Sequence, residues 1–316
     1  MKISTCITVK NEEGWIGALL DSLLTQSRKA DEIVIVDGCS TDKTTEIIKH
    51  YQKKDKNIKL LIEPGGIAHG RNTAIEIAKY PIITQIDAGC VAKPDWLQKI
   101  TEPLKYDTVG VSAGFYVISA GSSLQKAMAL YLGVHPRRFD AVNFLPSARS
   151  VAFKKDVWEK VGGYDEKLDK GGEDTKFFVS CVKNEIRIAR VGDARVIWEE
   201  TKHFTLKDFF LKIFNYAKGD AKTKIWIYPI PGVMSHNIKI FYIFIRYLMG
   251  ISLLIYSFTN PPFFWPLAGL FVLYIFWSVW KFRDIVNSWK VRVWIPIIQI
   301  ISDIAVMMGF ASGLIK

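Results

Sequence analysis

Cysteine is sparse in this chain, and its spacing argues against two common uses of the residue. Among 316 residues there are four cysteines, and no two of them form a Cys-x-x-Cys pair. Closely paired cysteines are the signature of zinc sites and of disulfide frameworks. We therefore expect reduced thiols, as in a domain that faces the cytoplasm.

Acidic residues are scarce in the C-terminal third. No glutamate follows Glu200, and from His203 onward the chain carries twelve basic and four acidic residues. The same third is also the most apolar part of the sequence. A region that is both basic and apolar favours an anionic membrane surface as its partner. No basic helix or aromatic RNA-binding motif is present, so we expect no nucleic-acid partner.

Charge is nearly absent from three long stretches, at residues 240–258, 261–280 and 293–315. The first contains only Arg246, the second no charged residue, and the third only Asp303. Each is close to the roughly 20 residues that cross a bilayer, so we predict three transmembrane helices; a hairpin buried in a protein core is the alternative. Because a charge in lipid costs roughly 2.5–3.5 kcal/mol, we expect one of three arrangements. The two charges pair, one of them meets an anionic ligand, or the arginine extends to the interface.

The loops between these stretches differ in charge. Basic residues occupy Lys281–Arg292, whereas the link at Thr259–Asn260 is uncharged. The positive-inside bias predicts that the basic loop and the N-terminal domain are cytoplasmic in a multi-pass protein of the cell membrane. Charged residues at Lys10–Glu13 interrupt any apolar run near the N-terminus, so we expect no secretory signal peptide there.

Apolar, β-prone segments alternate with amphipathic segments in the first hundred residues. Strands are predicted at 3–9, 32–37, 58–62 and 82–86. This alternation is typical of an α/β domain with a mostly parallel sheet. In such a sheet the carboxyl ends of the strands share one edge, and ligands bind at that edge. Asn11, Asp37 and Asp87 follow three of these strands, so we expect them to line a common cleft. The alternative for Asp87 is an ordinary turn residue.

Residues 205–224 alternate aromatic residues with lysines, a composition typical of a helix in the membrane interface. A surface helix on a soluble core is the alternative. We therefore predict three regions: a cytoplasmic α/β domain at residues 1–202, interfacial amphipathic helices at 203–238, and a domain of three transmembrane helices at 239–316.

Six short motifs carry a family resemblance. They are ITVKNEE at 7–13, VDGCSTDKT at 36–44, GRN at 70–72, DAGC at 87–90, VGGYDE at 161–166 and GGED at 171–174. In this order and spacing they resemble glycosyltransferase family 2, the inverting nucleotide-sugar transferases with the Rossmann-like GT-A fold. The resemblance covers about residues 3–225. The apolar C-terminal tail looks like that of members acting on polyprenyl-linked acceptors, such as dolichyl-phosphate mannosyltransferases, and of the cellulose synthase-like enzymes.

The resemblance implies a pocket for a nucleotide-sugar donor. The base and ribose would contact Asp37, with Thr8, Asn11 and Glu12 lining the same pocket. Arg71, in the GRN motif, carries a planar fork of donors suited to a diphosphate or a base.

The resemblance also implies a divalent metal ion. Asp87 matches the first aspartate of the family's DxD motif, which holds Mn²⁺ or Mg²⁺ on the diphosphate, and oxygen ligands suit such hard ions. Gly89 stands where the second aspartate would be. We therefore expect Asp87 to be supported by phosphate oxygens, water and a further ligand, either Glu199 or His203.

The GGED motif implies the catalytic group. Asp174 matches the family's catalytic aspartate, and Glu173 precedes it. The alternative is that both carboxylates only complement the N-terminus of a helix. Because arginine binds phosphate oxygens in a bidentate manner, we expect Arg137, Arg138 and Arg149 to receive an anionic acceptor, unless they form an ordinary solvated surface.

Together these features predict a membrane-bound, metal-dependent hexosyltransferase. Its first expected reaction moves mannose from GDP-mannose to a polyprenyl- or dolichyl-phosphate-type lipid, for lipid-linked glycan or protein glycosylation. The alternatives are transfer from UDP-glucose to a hydroxyl of a lipid-linked glycan, and a non-catalytic protein that binds nucleotide sugars in the membrane. The sequence KIFNY at 212–216 does not match the QxxRW motif of processive synthases, which favours a single transfer.

Overall fold

The computed structural model describes residues 1–168, 171–224 and 234–315, with side chains from residue 240 in the last range. The chain forms two compact units. The first contains residues 1–119 and 138–201, and the second contains residues 120–137 with the described residues from 202 onward. Residues 225–233 of the predicted interfacial region lie outside the described residues.

The elements follow one another as strands and helices in the first unit and as helices in the second. The strands are β1 (Ile3–Val9), β2 (Glu32–Asp37), β3 (Ile58–Ile62), β4 (Ile82–Gln85), β5 (Cys90–Ala92), β6 (Val111–Ile118), β7 (Val151–Lys154) and β8 (Ile188–Trp198). The helices are α1 (Ile16–Leu24), α2 (Thr44–Lys54), α3 (Ile67–Ile77), α4 (Trp96–Thr101), α5 (Ser123–Leu132), α6 (Lys155–Val161), α7 (Glu173–Lys183), α8 (Leu206–Thr223), α9 (Met234–Thr259), α10 (Phe264–Trp280) and α11 (Trp289–Leu314).

The first unit is built on one mixed sheet in the order β3-β2-β1-β4-β7-β6-β8-β5. Strands β1 to β4 pair in parallel, as predicted, so their carboxyl ends lie at one edge. Beyond β4 the sheet departs from a parallel sheet, because β7 runs antiparallel to both β4 and β6 and β5 runs antiparallel to β8. Every residue of β2 and β4 is buried, as expected for strands covered on both faces. The α/β prediction is therefore confirmed.

The sequence pattern also predicts three local features that differ from the structure: a helix from about residue 70, two separate strands at 186–189 and 194–198, and Asp95 as the N-cap of the helix from Trp96. Helix α3 begins at Ile67 and not near residue 70, because extended backbone at Gly66 ends the preceding loop. Two short strands predicted at 186–189 and 194–198 are one strand, β8. Both halves of it pair with β6, and an irregularity between Ala113 and Phe115 absorbs the extra residues. Asp95 makes no capping bond to α4, since its carboxylate lies 2.7 Å from the ammonium of Lys99.

The second unit contains the apolar helices. Within the described part of the chain, three segments are long and apolar enough to cross a membrane: Ile240–Thr259, Pro261–Trp280 and Trp289–Leu314. Helix α8 belongs to this unit and begins with a capping box between Thr205 and Asp208. Helix α11 packs closely on α8, since a Cβ atom at Gly309 would lie 2.2 Å from the carbonyl oxygen of Phe214.

The two charges of the apolar stretches meet. Nη2 of Arg246 on α9 lies 2.6 Å from Oδ2 of Asp303 on α11, and Asp303 is 1% exposed. The hydroxyl of Tyr274 on α10 donates to the same oxygen at 2.6 Å, and Gln299 Nε2 donates to Oδ1 at 2.8 Å. Pairing, one of the three expected arrangements, is therefore what the structure contains, and it joins all three helices.

Candidate active site

The ends of β1 and β2 are tied together by polar side chains. Asp37 is buried at the end of β2, and its Oδ1 accepts hydrogen bonds from the amide and hydroxyl of Ser40 at 2.8 and 2.6 Å. The amide of Asn11 donates to the same Ser40 hydroxyl at 2.9 Å. Asn11 has a left-handed backbone (φ 57°), which asparagine tolerates better than most residues. The structure thus brings Asn11 and Asp37 together, as the sequence predicts.

The other predicted donor residues on this edge lie in contact with helices. The amide of Glu12 donates to the Thr44 hydroxyl at 2.7 Å, at the start of α2. Thr8 lies against α3, because a Cβ atom at Gly70 would be 2.9 Å from its methyl carbon. Glycine in the GRN motif therefore allows α3 to approach β1 closely, and this brings Arg71 to the same edge of the sheet.

Arg71 joins two carboxylates, one predicted to bind the donor and one predicted to belong to the catalytic pair. Its Nη2 lies 3.0 Å from Oδ1 of Asp87, and its Nη1 lies 2.6 Å from Oε1 of Glu173. The guanidinium is 4% exposed and lies 5.5 Å from the ring centre of Tyr164. Burial alone lowers the pKa of Arg71, but the charges of Asp87 and Glu173 raise it above its ordinary value. The predicted contact of Arg71 with the donor stays a prediction, and its protein contacts form a bridge between two carboxylates.

Glu173 and Asp174 occupy the first turn of α7, which follows a left-handed Gly172. Burial raises the pKa of Glu173. The charge of Arg71 lowers this pKa and the charge of Asp174 raises it, and the net pKa is above the ordinary value. Oε2 of Glu173 is buried and has no hydrogen-bond partner in the described structure. Both carboxylates lie at the positive end of the helix, as the capping alternative requires, but the Arg71 bridge also ties Glu173 to Asp87.

The two oxygens of the Asp174 carboxylate differ in the length of their hydrogen bonds. Its Oδ1 accepts a hydrogen bond of 2.7 Å from the amide of Thr175. Its Oδ2 lies 3.5 Å from both the Ser147 hydroxyl and the Ala148 amide. These long contacts leave Oδ2 weakly held compared with the 2.7–3.0 Å of ordinary bonds to a carboxylate.

Arg149, predicted as an acceptor contact, lies beside Asp87. Its Nε is 3.9 Å from Oδ2 of Asp87, and its guanidinium lies 4.0 Å from the ring centre of Trp198 and 5.0 Å from that of Tyr116. Such stacking holds an arginine in place while its charge faces a carboxylate. The aromatic partners were not predicted, since no sequence pattern joins residues so far apart.

Arg137 and Arg138 are the other two predicted acceptor arginines. The guanidinium of Arg137 donates to the backbone carbonyl of Asp284 within the second unit. Arg138 belongs to the first unit. Their contact with an acceptor stays a prediction.

The turn after β4 carries the candidate metal residue. Asp87 is 30% exposed, and its carbonyl accepts a bond of 3.0 Å from the Cys90 amide. The amide of Glu199 donates to the Gly89 carbonyl at 3.0 Å, so the turn is fastened to the end of β8. Among the residues that the structure describes, no three histidine, cysteine or acidic side chains are grouped to hold a metal ion. The roles of Glu199 and His203 as further ligands stay predictions.

A second group of charges lies at the start of α3 and was missed in the sequence. Nδ1 of His69 lies 3.0 Å from Oε2 of Glu166, and its Nε2 lies 3.2 Å from Oε1 of Glu63. Asn72 Nδ2 donates to the other oxygen of Glu166 at 2.9 Å. The hydrogen bonds from these two glutamates raise the pKa of His69.

Part of the chain is similar to known glycosyltransferases. Residues 4–156 match the family model of Glycosyl transferase family 2. The uncharacterized glycosyltransferase MJ1057 of Methanocaldococcus jannaschii is 24% identical over 250 residues, which are 68% of this chain and 86% of that protein. The uncharacterized glycosyltransferase EpsJ of Bacillus subtilis is 22% identical over 209 residues; the match spans 63% of this chain and 61% of EpsJ.

Two solved structures share the fold. The mannosyltransferase PcManGT from Pyrobaculum calidifontis, in complex with GDP-Man and Mn²⁺, has a TM-score of 0.63 at 18% identity and covers 97% of this chain and 87% of its own. TarS 1–349 of S. aureus in complex with UDP has a TM-score of 0.50 at 22% identity, covering 69% of this chain and 65% of its own. The fold is therefore GT-A-like, and residues 4–156 of the chain are similar to the Glycosyl transferase family 2 domain.

Proposed function

We propose that this protein is a membrane-bound, inverting hexosyltransferase whose acceptor is a polyprenyl phosphate. The observation that carries the proposal is the bridge from Asp87 through Arg71 to Glu173, which is next to Asp174. It ties a candidate donor-binding carboxylate to a candidate catalytic pair. In an inverting transfer the nucleophile and the leaving diphosphate lie on opposite sides of the anomeric carbon, so both groups must be held in one site.

In this proposal Asp174 supports the nucleophile. Its weakly held Oδ2 is free to orient an acceptor or to take a proton from a hydroxyl, while the Thr175 amide holds Oδ1. General-base help of this kind is worth about 10²- to 10⁴-fold in rate. Glu173, held by Arg71, fixes the start of α7 and so the direction of Asp174.

The residues near Asp87 fit a divalent metal ion. The carboxylate is partly exposed, which suits a hard ion that also binds phosphate oxygens. When bound, Mn²⁺ or Mg²⁺ would stabilise the charge that develops on the leaving nucleoside diphosphate. Arg71 and Arg149 hold the Asp87 carboxylate in position from two sides.

The donor is proposed from the similarity of this chain to solved structures that contain nucleotides. PcManGT, which matches nearly the whole chain, was solved with GDP-Man and Mn²⁺. This supports GDP-mannose as the first donor to test. TarS was solved with UDP and with UDP-GlcNAc, so a UDP-sugar such as UDP-glucose is the second.

The acceptor is proposed from the second unit. Three apolar helices long enough to cross a bilayer, together with the basic surplus after residue 203, support a membrane-bound acceptor with an anionic head. Here residues 1–202 are the cytoplasmic catalytic domain, 203–238 lie in the interface and 239–316 cross the membrane.

The decisive experiment is product formation by the full chain in detergent. Labelled GDP-mannose and labelled UDP-glucose are each incubated with polyprenyl phosphate, and the lipid fraction is analysed for label. We expect labelled lipid with GDP-mannose, and at least 100-fold less from the Asp87→Ala variant. Asp156→Asn, on an exposed carboxylate of α6, is the control and should retain full activity. Absence of labelled lipid with every donor and acceptor would contradict the proposal.

A further inference from the structure

Gly89 leaves a space that another carboxylate fills. A Cβ atom built on Gly89 would lie 3.0 Å from Cβ of Glu200 and 3.2 Å from its Oε2. It would also lie 3.5 Å from Nε1 of Trp198. An oxygen of the Glu200 carboxylate therefore lies 3.2 Å from the point where the side chain of residue 89 would begin.

Several bonds hold Glu200 in this place. Nε1 of Trp198 donates to Oε2 of Glu200 at 3.0 Å, and Trp198 is itself buried. The amides of Glu199 and Glu200 both point to the Gly89 carbonyl, at 3.0 and 3.4 Å. In addition, Cys90 is paired with Trp198 between β5 and β8. The turn after β4 and the end of β8 are thus joined through backbone and side chain.

The same tryptophan links Glu200 to Asp87. The guanidinium of Arg149 lies 4.0 Å from the ring centre of Trp198, and its Nε lies 3.9 Å from Oδ2 of Asp87. Trp198 thus contacts Glu200 through its indole nitrogen and supports the arginine beside Asp87. These contacts bring both carboxylates to the turn at residues 87–89.

The charges around Asp87 favour a second carboxylate here. Asp87 already faces two cations, Arg71 at 3.0 Å and Arg149 at 3.9 Å. A divalent ion placed against Asp87 alone would add two positive charges to two that are present, and such repulsion is strong in a partly buried site. Glu200 and the buried Glu173 supply the negative charge that offsets the arginines.

We propose that Glu200 replaces the aspartate that is missing at position 89, and that it binds the divalent ion together with Asp87. The inference rests on the proposed nucleotide-sugar transfer. The ligand comes from the end of β8 and not from the DAGC turn. The ion is of the hard, oxygen-seeking class, Mn²⁺ or Mg²⁺, and the donor diphosphate supplies further oxygens.

The test measures Mn²⁺ binding and not activity. Full-length protein in detergent is titrated with Mn²⁺ in the presence of GDP, and separately of UDP, while free Mn²⁺ is followed by electron paramagnetic resonance. Glu200→Gln keeps the length of the side chain and an oxygen acceptor for Trp198, but it removes the charge. We expect its Kd for Mn²⁺ to rise at least tenfold. Glu159→Gln, an exposed glutamate of α6, is the matched control and should stay within twofold of the parent.

A double variant tests the replacement itself. Gly89→Asp combined with Glu200→Gly restores the aspartate and removes the Cβ atom that would crowd it. We expect its Kd for Mn²⁺ to return to within threefold of the parent, which a merely structural role of Glu200 would not produce. Unchanged Mn²⁺ binding by Glu200→Gln overturns the inference. So does a parent protein that binds no Mn²⁺ with either nucleotide. In that last case sugar transfer in the presence of chelator shows whether the proposed function stands without the metal.

Discussion

At the scale of single residues, Arg71 shows how burial changes a role read from a motif. A planar fork of donors suits a diphosphate, but in the folded chain both terminal nitrogens contact carboxylates of the protein. Removing one member of a buried ionic group leaves the others uncompensated, at a cost of about 3–5 kcal/mol. Arg71 therefore matters for the fold of the site.

The first prediction concerns this bridge. Arg71→Met leaves the buried Glu173 and the partly exposed Asp87 without the cation between them, so we expect the free energy of unfolding to fall by about 3–5 kcal/mol. Chemical denaturation of the full chain, followed by tryptophan fluorescence, measures it. Arg187→Met, which replaces an exposed arginine, is the control. Equal stability of Arg71→Met and the parent would show that the bridge contributes nothing.

The second prediction uses Asp174 to identify the acceptor. A sugar hydroxyl needs a base, whereas a phosphate monoester has its second pKa near 6 and is mostly ionised at neutral pH. We expect Asp174→Asn to lose about 10²- to 10⁴-fold in kcat on a polyprenyl-linked sugar and much less on polyprenyl phosphate. Turnover on the two acceptors, side by side, is the measurement.

Replacing the predicted acceptor arginines should affect activity in the opposite way, with the larger loss on the phosphate acceptor. With polyprenyl phosphate as acceptor, we expect Arg137→Gln, Arg138→Gln or Arg149→Gln to cost more than Asp174→Asn. Full activity of Asp174→Asn on every acceptor would remove this residue from the catalytic site.

At the scale of elements, His69 joins three segments of the first unit. It lies on α3, Glu63 directly follows β3, and Glu166 lies between α6 and α7. Both of its ring nitrogens face carboxylates, which favours the protonated ring. The start of α3, which also carries Arg71, is thereby held to the loop that leads to the GGED motif.

The third prediction follows from the raised pKa of His69. The folded state binds this proton more tightly than the unfolded chain, whose histidine has a pKa near 6.5. The stabilisation is therefore fully present below about pH 6.5 and is lost as the pH rises through the higher folded value. We expect His69→Gln to lower Tm at pH 5.5 and to change it little at pH 9.

The control for this experiment is His50→Gln on an exposed position of α2. It should show no such difference between the two pH values. A Tm difference for His69→Gln that is equal at both pH values would contradict the role of the charge.

Sequence patterns predict elements better than they predict the contacts between them. Apolar, β-prone segments located β1 to β4. The two glycines before Glu173 predict a helix that begins at Glu173, which is where α7 begins. These signals are local and repeat with the period of a strand or helix. The contacts of His69 with Glu166, 97 residues away, and of Gly89 with Glu200 have no such period. They exist only once the sheet has brought distant segments together.

At the scale of the whole molecule, the fourth prediction concerns topology. We expect the loop at residues 281–292 to be cytoplasmic and the link at 259–262 to be outside. Of the four native cysteines only Cys39 is exposed, so Cys39→Ser removes the native thiol that a maleimide would label. In intact cells a membrane-impermeant maleimide should label Thr259→Cys, whereas Asn287→Cys should be labelled only after lysis. The opposite pattern would invert the proposed orientation.

The ion pair between α9 and α11 has a consequence for how the chain is made. Arg246 leaves the ribosome 57 residues before Asp303. At about 5–20 residues per second, its partner follows roughly 3–11 s later. In the proposed transmembrane arrangement, α9 cannot be released into lipid alone without carrying an unneutralised charge. Its release is therefore expected to wait for the last helix, so that α9, α10 and α11 leave the insertion machinery together.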